Sequence, residues 1–196
     1  MKLTKTLLAS SLLLASGLAT AETDWIVRAG FSVVAPDSNN HPLVSVEDAT
    51  SLSFTLGKMM TQNIELEVLA AWPFEHDITI GGTKVGSAKH LPPTVSLNYH
   101  FMPEATFDPY VGVGINYTFF WDESTRGALD GTRLSLGDSF GFALQAGADF
   151  NLSNNWLINA SVRYIDISTK ATLDGVSLGN VNIDPIVYSL NFGKRF

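Results

Sequence analysis

Two glutamates, Glu65 and Glu67, stand two positions apart in a stretch that alternates apolar and polar residues. In a β-strand this spacing puts both carboxylates on one face, where such a pair could serve acid–base catalysis. Arg28, Asp149 and Arg195 lie on the polar faces of other alternating stretches. The pattern favours a second interpretation, in which these five residues form a buried charge cluster and the arginines neutralise the carboxylates.

The remaining chemically active residues do not form a catalytic set. There is no Cys, and the serines on polar faces have no histidine near them in sequence, as nucleophilic catalysis would require. His76 with Asp77 could meet His90 across one predicted loop and bind a metal ion, but no close ligand spacing supports this. The sequence therefore predicts no enzyme, no metal site and no cofactor.

Eight stretches of period-two alternation position these side chains. In the last of them the apolar face carries Ile186, Tyr188, Leu190 and Phe192, whereas the other face is small or polar apart from one valine. One apolar and one polar face fit a strand of a soluble barrel or of a membrane barrel. The predicted strands cover 24–34, 51–60, 64–74, 94–101, 111–121, 139–150, 156–165 and 185–196.

The connections between these strands alternate in length. Those after the second, fourth and sixth strands are short, and the long ones cover about 35–50, 75–93, 122–138 and 166–184. Short periplasmic turns, long external loops and an even strand count are typical of bacterial outer-membrane barrels. The sequence therefore predicts an all-β, eight-stranded antiparallel transmembrane β-barrel. A soluble periplasmic ligand-binding barrel is the less favoured alternative.

Aromatic residues on the apolar face form two bands, as expected where amphipathic rings meet the membrane interface. The band near the short turns contains Trp25, Phe101, Phe150, Trp156 and Phe196. The band nearer the long loops contains Trp72, Phe74, Tyr117, Phe119, Trp121, Phe140, Phe142 and Tyr164. We expect this face to contact outer-membrane lipid.

The amino-terminal segment predicts export. Lys2 and Lys5 precede an apolar run over 7–18 and the small residues Ala19 and Ala21, which is the pattern of a cleaved signal peptide. We expect 1–21 to be removed and 22–196 to form the barrel in the outer membrane of a Gram-negative bacterium. No other stretch is apolar over the ~18 residues that a spanning helix needs.

The net charge of the chain indicates which class of partner is disfavoured. Nineteen acidic against 12 basic side chains give a formal net charge of −7, which argues against a nucleic acid partner.

Phe196 ends the chain in register with the apolar face. A terminal aromatic of this kind resembles the signal read by the barrel assembly machinery.

The predicted lumen is lined by the side chains on the inward faces of the strands, which are polar for the most part but include some apolar residues. Its apolar members are Leu69, Ala71, Phe120, Leu157 and Ile165, and its polar candidates are Asn116 and Arg163. An eight-stranded barrel holds its own side chains or one small ligand. We therefore expect these residues to contact a small apolar solute. The alternative is that they plug the lumen of a structural or surface-interaction barrel.

Arg163 receives a specific prediction. Counted from the short turns it lies roughly 20 Å up the barrel, against roughly 10 Å for Glu67, so that the two should not pair. Arg163 would then lie at the external mouth near Ala71 and Asn116, with water or a loop acid such as Asp122 or Glu123 as its partner. In that position it would favour solutes with an apolar body and an anionic or polar head.

Several separated motifs together resemble the outer membrane protein W family. They are Trp72-Pro73-Phe74 with the preceding 67–71, then 90–94, 109–118, 159–167 and the ending 193–196. The resemblance implies an eight-stranded outer-membrane barrel with a narrow, largely apolar lumen, linked to the passage of small hydrophobic molecules. Two residues depart from the family pattern: Lys194 replaces an aromatic, and Arg163 puts a charge on the lumen face.

Overall fold

The computed structural model describes residues 25–37 and 44–196. The predicted signal peptide and His41 lie outside the described residues. No helix in the described ranges is long and apolar enough to cross a membrane. The strands are β1 (Trp25–Ala35), β2 (Val44–Val46), β3 (Ala49–Met59), β4 (Ile64–Ala71), β5 (Phe74–Ile80), β6 (Thr83–Leu91), β7 (Thr94–His100), β8 (Phe107–Thr125), β9 (Leu134–Leu136), β10 (Ser139–Asn151), β11 (Trp156–Ile165), β12 (Ser168–Leu173), β13 (Val176–Asn182) and β14 (Ile186–Arg195).

Eight of these strands close into an antiparallel barrel in the order β1-β3-β4-β7-β8-β10-β11-β14. The closing pair is β14 with β1, and its register runs from Ile26 opposite Arg195 to Ala35 opposite Ile186. Because the first and last barrel strands pair with each other, neither presents an open edge to the lipid, as a membrane requires. The predicted eight-stranded antiparallel barrel is confirmed. We call the end with the short connections the periplasmic end.

Alternation separates the two faces of the wall as predicted. In β1, Ile26, Arg28 and Ser32 are buried, whereas Val27 and Phe31 are exposed on the outside. The same pattern recurs along the other barrel strands. The result is a barrel with an apolar outer surface suited to lipid and an interior that contains both apolar and charged side chains.

The long connections are not simple loops. β8 continues beyond the barrel rim to Thr125, where β6, β5 and β2 extend the sheet from it, and β9, β12 and β13 form a separate sheet. A tight turn at Gly81 and Gly82 closes the β5–β6 hairpin, and one at Asp174 and Gly175 closes the β12–β13 hairpin. All four residues have positive φ. The long connections expected from the sequence are confirmed, and many of their described residues form strands beyond the barrel rim.

The predicted third strand breaks at Trp72 and Pro73, because proline has no backbone N–H to continue the ladder. The alternation reverses across the break: Trp72 is 70% exposed, whereas Phe74 is only 2% exposed. The prediction that Phe74 belongs to the outer aromatic band is therefore wrong.

A cluster of buried apolar side chains lies in the extracellular half of the interior. We call it the apolar cluster, formed by Val34, Ala49, Phe74, Ala143, Ile165, Ile167, Ile183 and Val187. Ala71, Phe120 and Val181 pack against it. These residues come from strand ends near the long connections, so the cluster lies above the polar lower interior.

Candidate lumen site

Arg28 is the centre of a buried group of charges in the periplasmic half of the lumen. Its Nη1 donates to Glu65 Oε1 at 2.7 Å and to Glu67 Oε2 at 3.3 Å. Its Nη2 donates to Asp149 Oδ2 at 2.7 Å. Period-two alternation in β1, β4 and β10 points all four side chains inward. The structure thus brings the predicted carboxylates together on one arginine.

Arg195 completes the predicted cluster from β14 by contacting Asp149 and a further acid, Asp108, that was not predicted. Its Nη2 lies 3.3 Å from Asp108 Oδ2 and 3.2 Å from Asp149 Oδ2, and the structure shows no ion pair from it to Glu65 or Glu67. The sequence did not predict Asp108 as a member of this cluster. The fifth barrel strand, β8, begins at Phe107, four residues before the start that was predicted for it.

His100 is a second member that sequence reasoning missed. Its Nδ1 lies 2.7 Å from Asp108 Oδ2 and its Nε2 lies 2.9 Å from Glu65 Oε2, with no exposed surface. Only a doubly protonated ring donates at both nitrogens. His100 follows Asn98 on the inward face of β7, and this alternation was the available signal. Asn98 Nδ2 also donates to Glu65, at 3.1 Å.

Arg163 lies in this group, not at the external mouth, so the prediction made for it is wrong. Its Nη2 donates to Glu67 Oε1 at 2.8 Å and its Nε donates to Gln145 Oε1 at 2.8 Å. It is 3% exposed. Heights counted from each strand's own turn neglect the stagger between tilted strands. The suggested loop acids are engaged elsewhere: Asp122 accepts from Lys89, and Glu123 accepts from the backbone N–H of Leu136.

We call these ionised side chains the charge layer. It contains the cations Arg28, His100, Arg163 and Arg195 and the carboxylates Glu65, Glu67, Asp108 and Asp149. Four cations therefore face four carboxylates, which is the balance that buried charges need.

Small residues on neighbouring strands make room for the charge layer. A Cβ at Gly57 would lie 1.7 Å from Glu65 Oε1, and one at Gly112 would lie 2.1 Å from Asn98 Oδ1. Neither glycine has a positive φ, and a side chain at either position would have to displace a polar side chain of the lumen.

One candidate metal-ligand group occurs in the described part of the chain. Ligand atoms of His100, Asp108 and Asp149 lie within 4.8 Å of one another. Arg28 and Arg195 already donate to these carboxylates, and His100 donates from both nitrogens. We therefore interpret the group as part of the charge layer.

The apolar lumen candidates separate into two levels. Ile165 belongs to the apolar cluster, and Ala71 and Phe120 pack against it. Leu69 is buried but is not a member of the cluster, and Leu157 pairs with Gly193 at the periplasmic end. The remaining candidate, Asn116, donates to Pro93 O at 3.1 Å and to Thr94 Oγ1 at 3.0 Å.

His76 and His90 lie in β5 and β6, beyond the membrane-spanning part, and both are buried. Their ring centroids are 4.8 Å apart with 16° between the planes. Burial lowers the pKa of His76, and burial together with the neighbouring His76 lowers the pKa of His90 to about 3. Asp77 instead pairs with Lys84.

This stacking disfavours the metal site considered for His76 and His90. The lone pair of an imidazole lies in the plane of its ring, so two stacked rings do not direct their lone pairs at one ion. The pair is better described as two neutral rings that continue the apolar cluster outward.

Backbone pairing is interrupted at one level of the barrel wall. The β4–β7 ladder stops after Leu69 and the β5–β6 ladder starts at Phe74, so 70–73 have no register partner among 91–93. Three of these residues are prolines, Pro73, Pro92 and Pro93. Because prolines donate no hydrogen bond, the ladder cannot be completed here. Ala71, which packs on the apolar cluster, lies in this wall gap.

The closed eight-stranded wall, its apolar outside and its charged interior define an outer-membrane β-barrel. The chain belongs to the OmpW family, whose model matches residues 21–196. It is 42% identical over 194 residues to outer membrane protein W of Vibrio cholerae, covering 89% of each chain.

Solved structures agree with this assignment. The crystal structure of outer membrane protein OprG from Pseudomonas aeruginosa has a TM-score of 0.78 at 34% identity, covering 88% of this chain and 95% of that one. The solid-state NMR structure of AlkL in DMPC bilayers has a TM-score of 0.68 at 26% identity, covering 95% and 96%. The protein is thus located in the outer membrane, and the soluble periplasmic alternative is excluded.

Proposed function

We propose that the protein binds small apolar or amphipathic molecules in the extracellular half of its lumen and passes them into the outer membrane. The observation that carries the proposal is the change of the interior along the barrel axis. The apolar cluster lies above, and the charge layer lies below. An apolar solute is favoured at the first level through burial of its surface.

Passage straight through the charge layer is disfavoured for such a solute. Arg28 and Glu67 are almost fully buried, and Glu67 accepts from both Arg28 and Arg163. A hydrocarbon inserted between them would separate buried charges and offer no hydrogen bond in return. The wall gap at 70–73 and 91–93 lies beside the apolar cluster and offers a sideways route into lipid.

Binding and passage fit this interior better than catalysis does. The Glu65 and Glu67 pair considered for acid–base work is engaged by Arg28, Arg163 and His100. Neither carboxylate is exposed to a substrate from the lumen.

The second candidate function is a structural or surface-interaction barrel. The close packing of Phe120 and Ala71 against the apolar cluster favours it, because these side chains would then plug the lumen. The two candidates differ in whether a solute can displace this packing.

Uptake of radiolabelled naphthalene by cells tests the proposal with two adjacent alanines. Ala71→Trp fills the inner side of the wall gap, whereas Ala70→Trp adds the same ring on the exposed outer face. We expect A71W to reduce uptake to that of cells without the protein and A70W to leave it unchanged. Equal uptake by wild type, A71W and cells lacking the protein would favour the structural barrel. The heat-modifiable fraction in outer membranes verifies folding of each variant.

A further inference from the structure

His76 and His90 extend the apolar cluster at its extracellular side. The ring of His90 lies 5.5 Å from the ring of Phe74 and 5.8 Å from that of Phe120, centroid to centroid. Phe74 belongs to the apolar cluster and Phe120 packs against it. The two imidazoles therefore place nitrogen atoms at the edge of an otherwise apolar compartment.

Both rings carry an unsatisfied nitrogen. The Nε2 atoms of His76 and His90 are buried and have no hydrogen-bond partner among the described residues. Buried polar atoms are nearly always paired, and an unpaired one calls for an explanation. A packing role alone would be served equally well by phenylalanine, which has the same flat shape and no polar atom to leave unpaired.

The hydrogen-bonding role of one nitrogen follows from its partner. His76 Nδ1 lies 2.6 Å from the backbone carbonyl oxygen of Glu47. A carbonyl oxygen only accepts, so Nδ1 carries the proton and Nε2 presents a lone pair. Nε2 of His76 therefore needs an O–H or N–H donor.

We propose that His76 binds the hydroxyl head of an amphipathic solute whose apolar body lies in the apolar cluster. The solute hydroxyl donates to His76 Nε2, and the stacked ring of His90 forms one wall of the site. This inference rests on the proposed function and assigns a solute class to the same compartment.

The charges around His76 and His90 determine which solute head groups are disfavoured. Both rings are neutral because burial lowers the pKa of each. Asp48 and Asp77 are the charged groups that act on His76. A carboxylate head would therefore be buried against two neutral rings and near the acids Asp48 and Asp77, and the neighbouring cation Lys84 is already paired with Asp77, so its burial is strongly unfavourable. A plain hydrocarbon would leave both nitrogens unpaired. The expected order of preference is hydroxyl, then hydrocarbon, then carboxylate.

Three probes of one shape test this order: 1-naphthol, naphthalene and 1-naphthoate. The variants His76→Phe and His90→Phe keep a flat ring in the stack and remove the nitrogens. We expect His76→Phe to lower the ratio of 1-naphthol to naphthalene uptake about fivefold, which is the factor that one ordinary hydrogen bond contributes, and His90→Phe to lower it less. Each ratio is taken within one variant, and the heat-modifiable fraction in outer membranes verifies that the variants fold.

The possible failures are distinguishable. An unchanged uptake ratio in His76→Phe, with both probes still taken up, would overturn the inference and leave the proposed function intact. No uptake of any probe above that of cells lacking the protein would instead overturn the proposed function. If the variants fail to fold, imidazole ¹⁵N NMR of the wild-type protein decides. 1-Naphthol should then shift the Nε2 signal of His76 more than naphthalene does, and equal shifts would overturn the inference.

Discussion

Replacing Arg28 by Met should destabilise the barrel strongly. Arg28 is 1% exposed and donates to three carboxylates, so its loss leaves four buried carboxylates against three cations. Methionine retains most of the apolar stem, so the lost charge dominates the change. Removing one partner of a buried ion pair costs about 3–5 kcal/mol. That is a large fraction of the ~5–15 kcal/mol by which folded proteins are usually stable.

Urea unfolding in lipid vesicles, followed by tryptophan fluorescence, measures this change. The matched control is the double variant Arg28→Met/Glu65→Gln, which restores the balance with three cations against three carboxylates. We expect the double variant to be more stable than R28M by about 1–3 kcal/mol, because an unpaired buried charge has been removed. If R28M unfolds at the wild-type urea concentration, or if the double variant is the less stable one, then charge balance does not hold the charge layer together.

Three further changes test other parts of the structure. Since folding lowers the pKa of His90 from 6.5 to about 3, its stabilising effect is complete above pH 6.5 and is lost as the pH falls towards 3. By pH 5 the free energy that stabilises the β5–β6 hairpin should be lower by about 2 kcal/mol. Amide hydrogen exchange in the hairpin should therefore be faster in wild type than in H90F at this pH, and equal rates would contradict the prediction. Val113→Arg puts a charge on the outer face and should cost ~2–4 kcal/mol near the bilayer midplane, whereas Val113→Leu should be almost neutral in the same urea assay. Deleting Phe196 should lower the folded, heat-modifiable fraction in outer membranes through loss of the expected assembly signal, and a normal fraction would show that this residue is dispensable.

Alternation was sufficient to predict the barrel because successive side chains of a wall strand point in turn to the lipid and to the lumen. It placed Arg28 inward and Phe31 outward, and both lie there. It failed where the wall is interrupted. Pro73 shifts the phase by one residue, so Phe74 moves from the outer aromatic band to the apolar cluster. Beyond the rim, hairpins such as β5–β6 follow the same alternation, but the length rule for external loops concealed them.

The lumen was harder to predict because it depends on relations between strands. The inward position of Glu67 could be read from β4 alone, but its contact with Arg163 depends on how far β11 is shifted along the barrel. That shift is a property of the closed sheet and leaves no trace in either strand's own sequence. His100 shows the complementary problem: its inward position was evident, but its partner Asp108 lay in a stretch assigned to a connection.

The two levels of the lumen also suggest why a barrel proposed to bind hydrophobic molecules contains so many buried charges. Burying ion pairs is a poor route to stability, and apolar side chains of similar volume would fill the same space at no greater cost. A wholly apolar lumen, however, would offer a hydrophobic solute a continuous path into the periplasm. With Arg28 and Glu67 satisfied in the lower half, the proposed function implies that such a path would end at the charge layer and that the wall gap beside Ala71 would be the favourable direction. We therefore infer that the charge layer directs solutes sideways. In that case R28M/E65Q, which keeps the charges balanced, should retain naphthalene uptake, whereas A71W should abolish it with the charge layer intact.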